Sequence, residues 1–284
     1  MKNFPEYLHQ KLPSPGGFLK TKALLKKHGI NTVCEEAKCP NRFLCYQKKC
    51  ATFLSLGKFC TRRCSFCDVG FSKNPLPPDI DEPRNFALAV KELKLSHVVI
   101  TMVTRDDLQD GGAHHLALII KEVRKQNKNV TIEVLTSDFQ GKKESLDIVL
   151  NEKIDIFNHN VETTKSLSPS IRDKAKYARS LKVLKYVKDQ RKVLVKSGLM
   201  VGLGEKEIDV KSCIKDLSKV CDIITIGQYL QPSKRCMKVK EFIPPHLYKV
   251  YEEYGHSLGV KQMLCAPFIR SSFVSFNKEE ESHS

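Results

Sequence analysis

From residue 51 onward, apolar β-rich runs alternate with helical segments so regularly that few architectures remain open. Strands are predicted at 51–57, 97–103, 130–135, 154–158, 193–201 and 222–228, and helices near 84–94, 114–126, 143–151, 174–189 and 208–219. Strands separated by helix-length crossovers run parallel. Six such units fall short of the eight that close a full barrel. The expected fold class is therefore α/β, an open partial (β/α)6 barrel, with a flat doubly wound sheet as runner-up. A helix near 245–258 and a short strand near 260–265 follow. Residues 1–50 and 267–284 read as extensions of a core at 51–266, with a short helix from Phe18 to His28 stopped by Gly29 and a frayed tail over the last eight residues.

Cysteines give that scaffold its chemistry. Cys60, Cys64 and Cys67, spaced C-x3-C-x2-C, come just past the first predicted strand, where parallel barrels place their reactive loops. Thiolates are soft ligands that select iron-sulfur clusters, zinc or Cu(I), and a cubane held wholly by protein would use four. Three leave one iron open to a small molecule. Upstream, Cys34, Cys39 and Cys45 have the spacing C-x4-C-x5-C, again with no histidine among them. For either set the alternative is a zinc site completed by a distant residue. Cys50 lies near both sets and is read as a spectator, since each triad is complete in spacing without it. Cys213, Cys221, Cys236 and Cys265 are scattered singly, and Cys221 and Cys265 read as small buried hydrophobes.

Eleven cysteines, with no signal-peptide core over Met1 to Gln10, argue for metal ligation rather than disulfides and for a reducing cytoplasm. No apolar run approaches membrane-spanning length, so no membrane is expected. The formal charge is +16, and residues 1–50 hold ten Lys or Arg against three Asp or Glu. Such a surface attracts nucleic acid, anionic membrane or an acidic protein, but no RNA-binding aromatic motif or zinc-finger spacing accompanies it. Two polar stretches, Thr104 to Gly112 and His159 to Thr163, follow predicted strands, where turn and capping chemistry is the simpler reading of the first. Lys196 to Glu205 ends a strand in closely spaced glycines that lack the order of a dinucleotide fold.

The C-x3-C-x2-C loop, with Phe66 before Cys67, resembles the signature of radical S-adenosylmethionine enzymes, and the glycine segment is similar to the one beside the adenine in those proteins. The whole constellation resembles the lipoyl synthase family from about Glu6 to Phe273. The likeness is carried by Thr32 to Ala37, Cys39 to Arg42, Cys60 to Cys64, Cys67 to Val69, Arg105 to Leu108, Asp138 to Gly141, Phe157 to Asn160, Lys196 to Glu205, Gly227 to Pro232 and Arg270 to Ser272. The resemblance implies a barrel of the radical S-adenosylmethionine type and insertion of two sulfur atoms at carbons 6 and 8 of a protein-bound octanoyl chain. It implies two 4Fe-4S clusters and S-adenosylmethionine as cosubstrate. One cluster, on Cys60, Cys64 and Cys67, reduces S-adenosylmethionine to give the radical that takes hydrogen from the chain. The other, on Cys34, Cys39, Cys45 and Ser272, is dismantled as the sulfur donor. Asn160, Glu162 and Lys196 are the expected contacts to S-adenosylmethionine or substrate.

The implied partners are octanoylated lipoyl carrier domains, of 2-oxoacid dehydrogenase E2 or glycine cleavage H protein, and a reduced ferredoxin or flavodoxin, with no nucleic acid. The sequence departs from the family at Phe273 for tyrosine, Thr104 for aspartate, Phe43 for a frequent glycine, and Cys265-Ala266 for Ser-Gly. Another sulfur-inserting radical enzyme, resembling biotin synthase or a methylthiotransferase, and a zinc-stapled basic nucleic-acid-binding protein are the competing readings.

Overall fold

A computed structural model describes residues 4–10, 15–190 and 192–272. Its strands in chain order are β1 (Thr52–Ser55), β2 (Phe59–Cys60), β3 (Gly70–Phe71), β4 (His97–Met102), β5 (Thr131–Leu135), β6 (Ile156–Asn158), β7 (Leu194–Val201), β8 (Ile223–Gln228) and β9 (Gln262–Cys265). Among the described residues, β1 and β4 to β9 form one seven-stranded parallel sheet, and β2 pairs with β3. Spatial order follows chain order without reversal. A doubly wound sheet reverses at a switch point, so that runner-up does not apply. Residues of β1, β4, β5, β7 and β8 (Leu54, Thr101, Leu135, Gly198 and Thr225) line a single cavity. The sheet must therefore curl around it, as a partial barrel does.

The sheet has one strand more than the six-unit reading. The short run at 260–265 adds to the edge as β9, in parallel register with β8 (Ile224 opposite Met263). The first strand is shorter than expected because Leu56 and Gly57 take φ of +68° and +87°, which ends extended pairing after Ser55.

Outside the sheet lie α1 (Pro15–Lys27), α2 (Val33–Glu36), α3 (Arg42–Gln47), α4 (Glu82–Leu93), α5 (Ala113–Gln126), α6 (Lys143–Leu150), α7 (Ser168–Ile171), α8 (Tyr177–Gln190), α9 (Glu207–Ser218) and α10 (Pro245–Ser257). The crossover helices are amphipathic. In α4, Phe86, Val90 and Leu93 recur at helical spacing and are buried, and Lys94 at φ +56° stops the helix. Each such side chain contributes about 1.5–3 kcal/mol through burial. Before α5, Gly112 at φ +89° lets the chain turn from the β4 loop, where a Cβ would stand 2.6 Å from Leu56 Cδ1.

The N-terminal extension packs on the first strand rather than hanging free. Thr32 bridges antiparallel to Phe53, Leu54 N–H donates to Asn31 O at 2.8 Å, and Thr32 Oγ1 meets the buried Tyr46 hydroxyl at 2.7 Å. Phe43, where the resembled family often has glycine, stacks on Phe18 with ring centroids 4.8 Å apart, joining α3 to α1. Phe273 and the frayed tail lie outside the described residues.

Candidate active site

Cys60 ends β2, and the paired strand β3 brings the chain back beside it, with Ser72 N–H donating to Cys60 O at 3.0 Å. The loop between is fastened from several directions. Thr61 N–H donates to Thr104 O at 2.9 Å, Ser65 N–H to Ile171 O at 2.9 Å, and Arg63 N–H to Asp173 Oδ2 at 2.8 Å. Thr104 acts here through its carbonyl, so its departure from aspartate leaves this contact intact.

Arg62, buried within the loop, donates to both oxygens of Asp106 at 2.8 Å and to Asp138 at 2.7 Å. Burial opposes charge on Asp138, but the Arg62 guanidinium holds its carboxyl at about 2. Asp68, directly after Cys67, is buried yet receives Lys38 at 2.8 Å, Ser233 Oγ at 2.6 Å and Arg235. Those donors outweigh burial and hold its carboxyl far below the usual range. Asp68 thereby ties the N-terminal extension, the cysteine loop and the segment after β8 together.

The three cysteines face a cavity of about 330 Å³ whose wall also carries Cys39, Asn160, Glu162, Arg172, Ser271 and Ser272. Burial pushes the thiols of Cys64 and Cys67 up to about 11 and about 12. Without iron such groups stay protonated; a cluster's positive irons reverse that preference and take them as thiolates.

Asn160 Nδ2 donates to Ser271 Oγ at 2.9 Å and to Glu162 Oε1 at 3.1 Å, while its buried Oδ1 has no protein partner. Thr136 Oγ1, also on the wall, is likewise unpartnered. Buried polar atoms without partners are costly, so on the cavity wall these two are open to a polar ligand or to water. Glu162, at φ +65°, bridges Gly198 and Met200 by its backbone; burial raises its carboxyl, and Arg172 opposes the rise. His159 is pushed down to about 4, by burial first and then by Arg172. Its Nδ1–H donates to Thr136 O and its Nε2 accepts from Ser180 Oγ, so it is a neutral positioning residue.

Lys196, expected to contact a ligand, does not line the cavity: its ammonium lies 3.0 Å from Glu133 Oε1, and both side chains are buried. Side chains two apart on a strand share a face, so Lys196 points the same way as the cavity-lining Gly198 and Glu133 the same way as Leu135, but the pair sits one layer deeper in the barrel, beneath the ligand space. Arg172, which lines the cavity with Lys38, Arg62 and Arg270, is a cation that sequence reasoning missed, and the stretch Ser168 to Arg172 has no local signal to mark it.

The second cysteine set converges on a smaller cavity of about 40 Å³ lined by Cys34, Cys39, Cys45, Cys50, Arg270 and Ser272. Thr32 caps α2, accepting from Glu35 N–H at 3.3 Å, and Lys38 at φ +47° then turns Cys39 back on Cys34. Burial, followed by the charge of neighbouring thiols, raises Cys34 and Cys45 to about 12. Among the described residues no three His, Cys, Asp or Glu side chains are drawn together as ligands of one metal ion. A four-iron cluster takes each thiolate on a separate iron and so spreads its ligands wider than one zinc does.

Cys39 and Ser272 line both cavities, so the two cysteine sets face one shared space. Ser272 is held there by the segment after β9. Asn41 Nδ2 donates to Phe268 O at 2.7 Å and Asn158 Nδ2 to Ser271 O at 3.1 Å. This segment lies against bare backbone: a Cβ on Gly227 would collide with the Ile269 carbonyl oxygen. Gly227→Ala is expected to displace Ser272 and so to alter the spectrum of a cluster on the upstream cysteine set while that of the loop set is unchanged. Electron paramagnetic resonance and Mössbauer spectra check this, and an upstream spectrum identical to the parent's would count against it.

Residues 54–217 match the radical SAM superfamily. The chain is 50% identical over 274 residues to the lipoyl synthase of Protochlamydia amoebophila, covering 95% of this chain and 85% of that protein. It is 49% identical over 275 residues to that of Chlamydia muridarum, covering 95% and 88%. Among solved structures it is similar to methylornithine synthase, with TM-score 0.56 at 12% identity over 81% of this chain and 75% of the other. It is also similar to Streptococcus suis SuiB bound to S-adenosylmethionine, with TM-score 0.56 at 15% identity over 84% and 51%.

Proposed function

We infer the reaction from kinship and site together: this chain belongs to the lipoyl synthase family of the radical SAM superfamily, and it converts a protein-bound octanoyl chain to the lipoyl cofactor. The observation that supports this reading is that the two cysteine sets line neighbouring cavities that have Cys39 and Ser272 in common. The donor chemistry fits two clusters, three thiolates for one and three thiolates with a hydroxyl for the other. Cys60, Cys64 and Cys67 would hold a cluster that would supply the electron for cleaving S-adenosylmethionine, and Cys34, Cys39, Cys45 and Ser272 would hold one that would supply sulfur.

The protein's own part is placement. The unpartnered Asn160 Oδ1 and the Glu162 carboxylate offer acceptors to the amine or ribose hydroxyls of S-adenosylmethionine, and Arg172 offers positive charge to its carboxylate. Gly198 leaves room beside them, since a Cβ there would press on Thr225, Asn160 and Ser271. Leu54, Met102, Leu135 and Leu199 give the remaining wall an apolar character suited to an alkyl chain that must enter between the two cysteine sets.

The carrier comes to a basic surface. Helix α1 exposes Lys20, Lys22, Lys26 and Lys27, and the whole chain is +16. The reading takes an acidic lipoyl carrier domain, of E2 or H-protein type, as the partner and a reduced ferredoxin or flavodoxin as the electron source. Capture of the carrier should weaken as salt rises past about 0.1 M, where the screening length falls to about 10 Å. A Michaelis constant for the carrier that ignores salt would sink the steering argument.

The direct test supplies octanoylated carrier domain, S-adenosylmethionine and reductant to the anaerobically reconstituted protein. Mass spectrometry should find two sulfur atoms on the octanoyl chain. Cleavage of S-adenosylmethionine with the octanoyl mass unchanged would overturn the assignment.

A further inference from the structure

The upstream cysteines are placed by the same local device used twice. After α2, Lys38 takes φ +47°, Lys38 N–H donates to Glu35 O at 3.0 Å and Cys39 N–H to Cys34 O at 3.0 Å. After α3, Lys49 takes φ +58°, Lys49 N–H donates to Tyr46 O at 3.1 Å and Cys50 N–H to Cys45 O at 2.8 Å. Both are Schellman motifs, in which the residue after the left-handed one returns over the third residue from the helix end. The side chains at these two positions usually make an apolar contact. Here both positions are cysteine in both motifs, so Cys50 stands to Cys45 as Cys39 stands to Cys34.

Cys50 lines the same small cavity as Cys34, Cys39, Cys45 and Ser272. The site holds four thiols and a hydroxyl where a cubane needs four ligands.

Resting on the reading of the upstream set as a cluster site, we propose that Cys50 is a reserve ligand of that cluster, able to take the iron that Ser272 releases. A thiolate is the softer and stronger partner for this iron, and a serine oxygen is the easier one to lose. The exchange is a ligand substitution with no change of oxidation state: the Ser272–iron bond breaks, the serine oxygen takes up the proton that the Cys50 thiol gives, and the Cys50–iron bond forms. Such an exchange would keep an opened cluster attached to the chain.

The test uses the full chain with Cys60, Cys64 and Cys67 all changed to alanine, so that iron reports the upstream site alone. After anaerobic reconstitution, the background, C50A and S272A proteins should each hold about four irons, and C50A/S272A should fall to about three with the resonance of a three-iron cluster. The Mössbauer parameters of S272A should also shift towards an all-thiolate site, a readout that does not depend on turnover. Three irons in S272A alone, or four in C50A/S272A, would overturn the reserve role while leaving the cluster intact. A background that binds no iron would overturn the cluster reading and this proposal together.

Discussion

Changing Cys64 to alanine should take lipoyl formation to background, a loss of at least about a thousandfold, and leave the fold in place. The chain to be attacked offers no acidic proton, so acid-base groups such as Glu162 have no route to the product once the cluster's electron is gone. The loop itself does not depend on this thiol for its shape. Thr61 and Arg62 fasten it to the loop after β4, Ser65 and Arg63 to the end of α7 and the residues just after it, and Asp68 to Lys38, Ser233 and Arg235. The expected signature is a fall from about eight irons per chain to about four, an unchanged far-ultraviolet dichroism spectrum, and no cleavage of S-adenosylmethionine. Residual turnover with full iron content would show that a different residue holds the reducing cluster.

The second large effect belongs to stability. Glu133, on β5, is 1% exposed and meets Lys196 Nζ at 3.0 Å, Asn158 Nδ2 at 2.8 Å and His97 Nε2 at 3.4 Å. Removing one partner of a buried ion pair leaves the other charge uncompensated, so Glu133→Ala should cost about 3–5 kcal/mol. Replacing both partners by apolar groups, as in Glu133→Leu with Lys196→Met, should recover much of that loss. Equal melting points for Glu133→Ala and the parent would refute the pairing. The pH dependence follows from direction: burial raises the Glu133 carboxyl, but His97, Lys196 and Asn158 together bring it below its ordinary value. A depressed folded value means the stabilisation is complete above the unfolded carboxylate range near about 4.3 and drains as pH falls through the lower folded value. Acid unfolding should therefore begin below that range in the parent.

The sequence made the repeating architecture and the cysteine triads legible because both are written in local pattern. Buried parallel strands read as apolar runs, as Val98 to Met102 do, and metal loops crowd their ligands into a few residues. What it left hidden depends on pairing across the sheet. Lys196 shares its face of β7 with the cavity-lining Gly198, and its depth beneath the cavity, where it meets Glu133, follows from the register of β5, β6 and β7, with Glu133 opposite Ile156 and Ile156 opposite Leu194. Asp110 bears out the capping reading of its loop, since it accepts from Gly112 and His114 N–H. Asp106 and Asp107 instead answer to Arg62 and Arg105. Cys50 shows a different limit. Its spacing to Cys45 repeats that of Cys39 to Cys34, but only the left-handed turns at Lys38 and Lys49 give the repeat a meaning.

The hydrogen bond from Asn41 to Phe268 joins positions 227 residues apart, beside the place where the cysteines of one end meet the serine of the other. A cluster held by both ends is then a cross-link, closing nearly the whole barrel into a ring. In the chain-entropy picture a loop of that length is worth roughly 5 kcal/mol to the folded state. Consuming the cluster in turnover would cut the ring open, so every round of catalysis would spend part of the enzyme's own tether. The asparagine clasp, with the bonds from Asn158 and Asn160 to Ser271, contains no iron and would hold the ends in register while such a ring stood open.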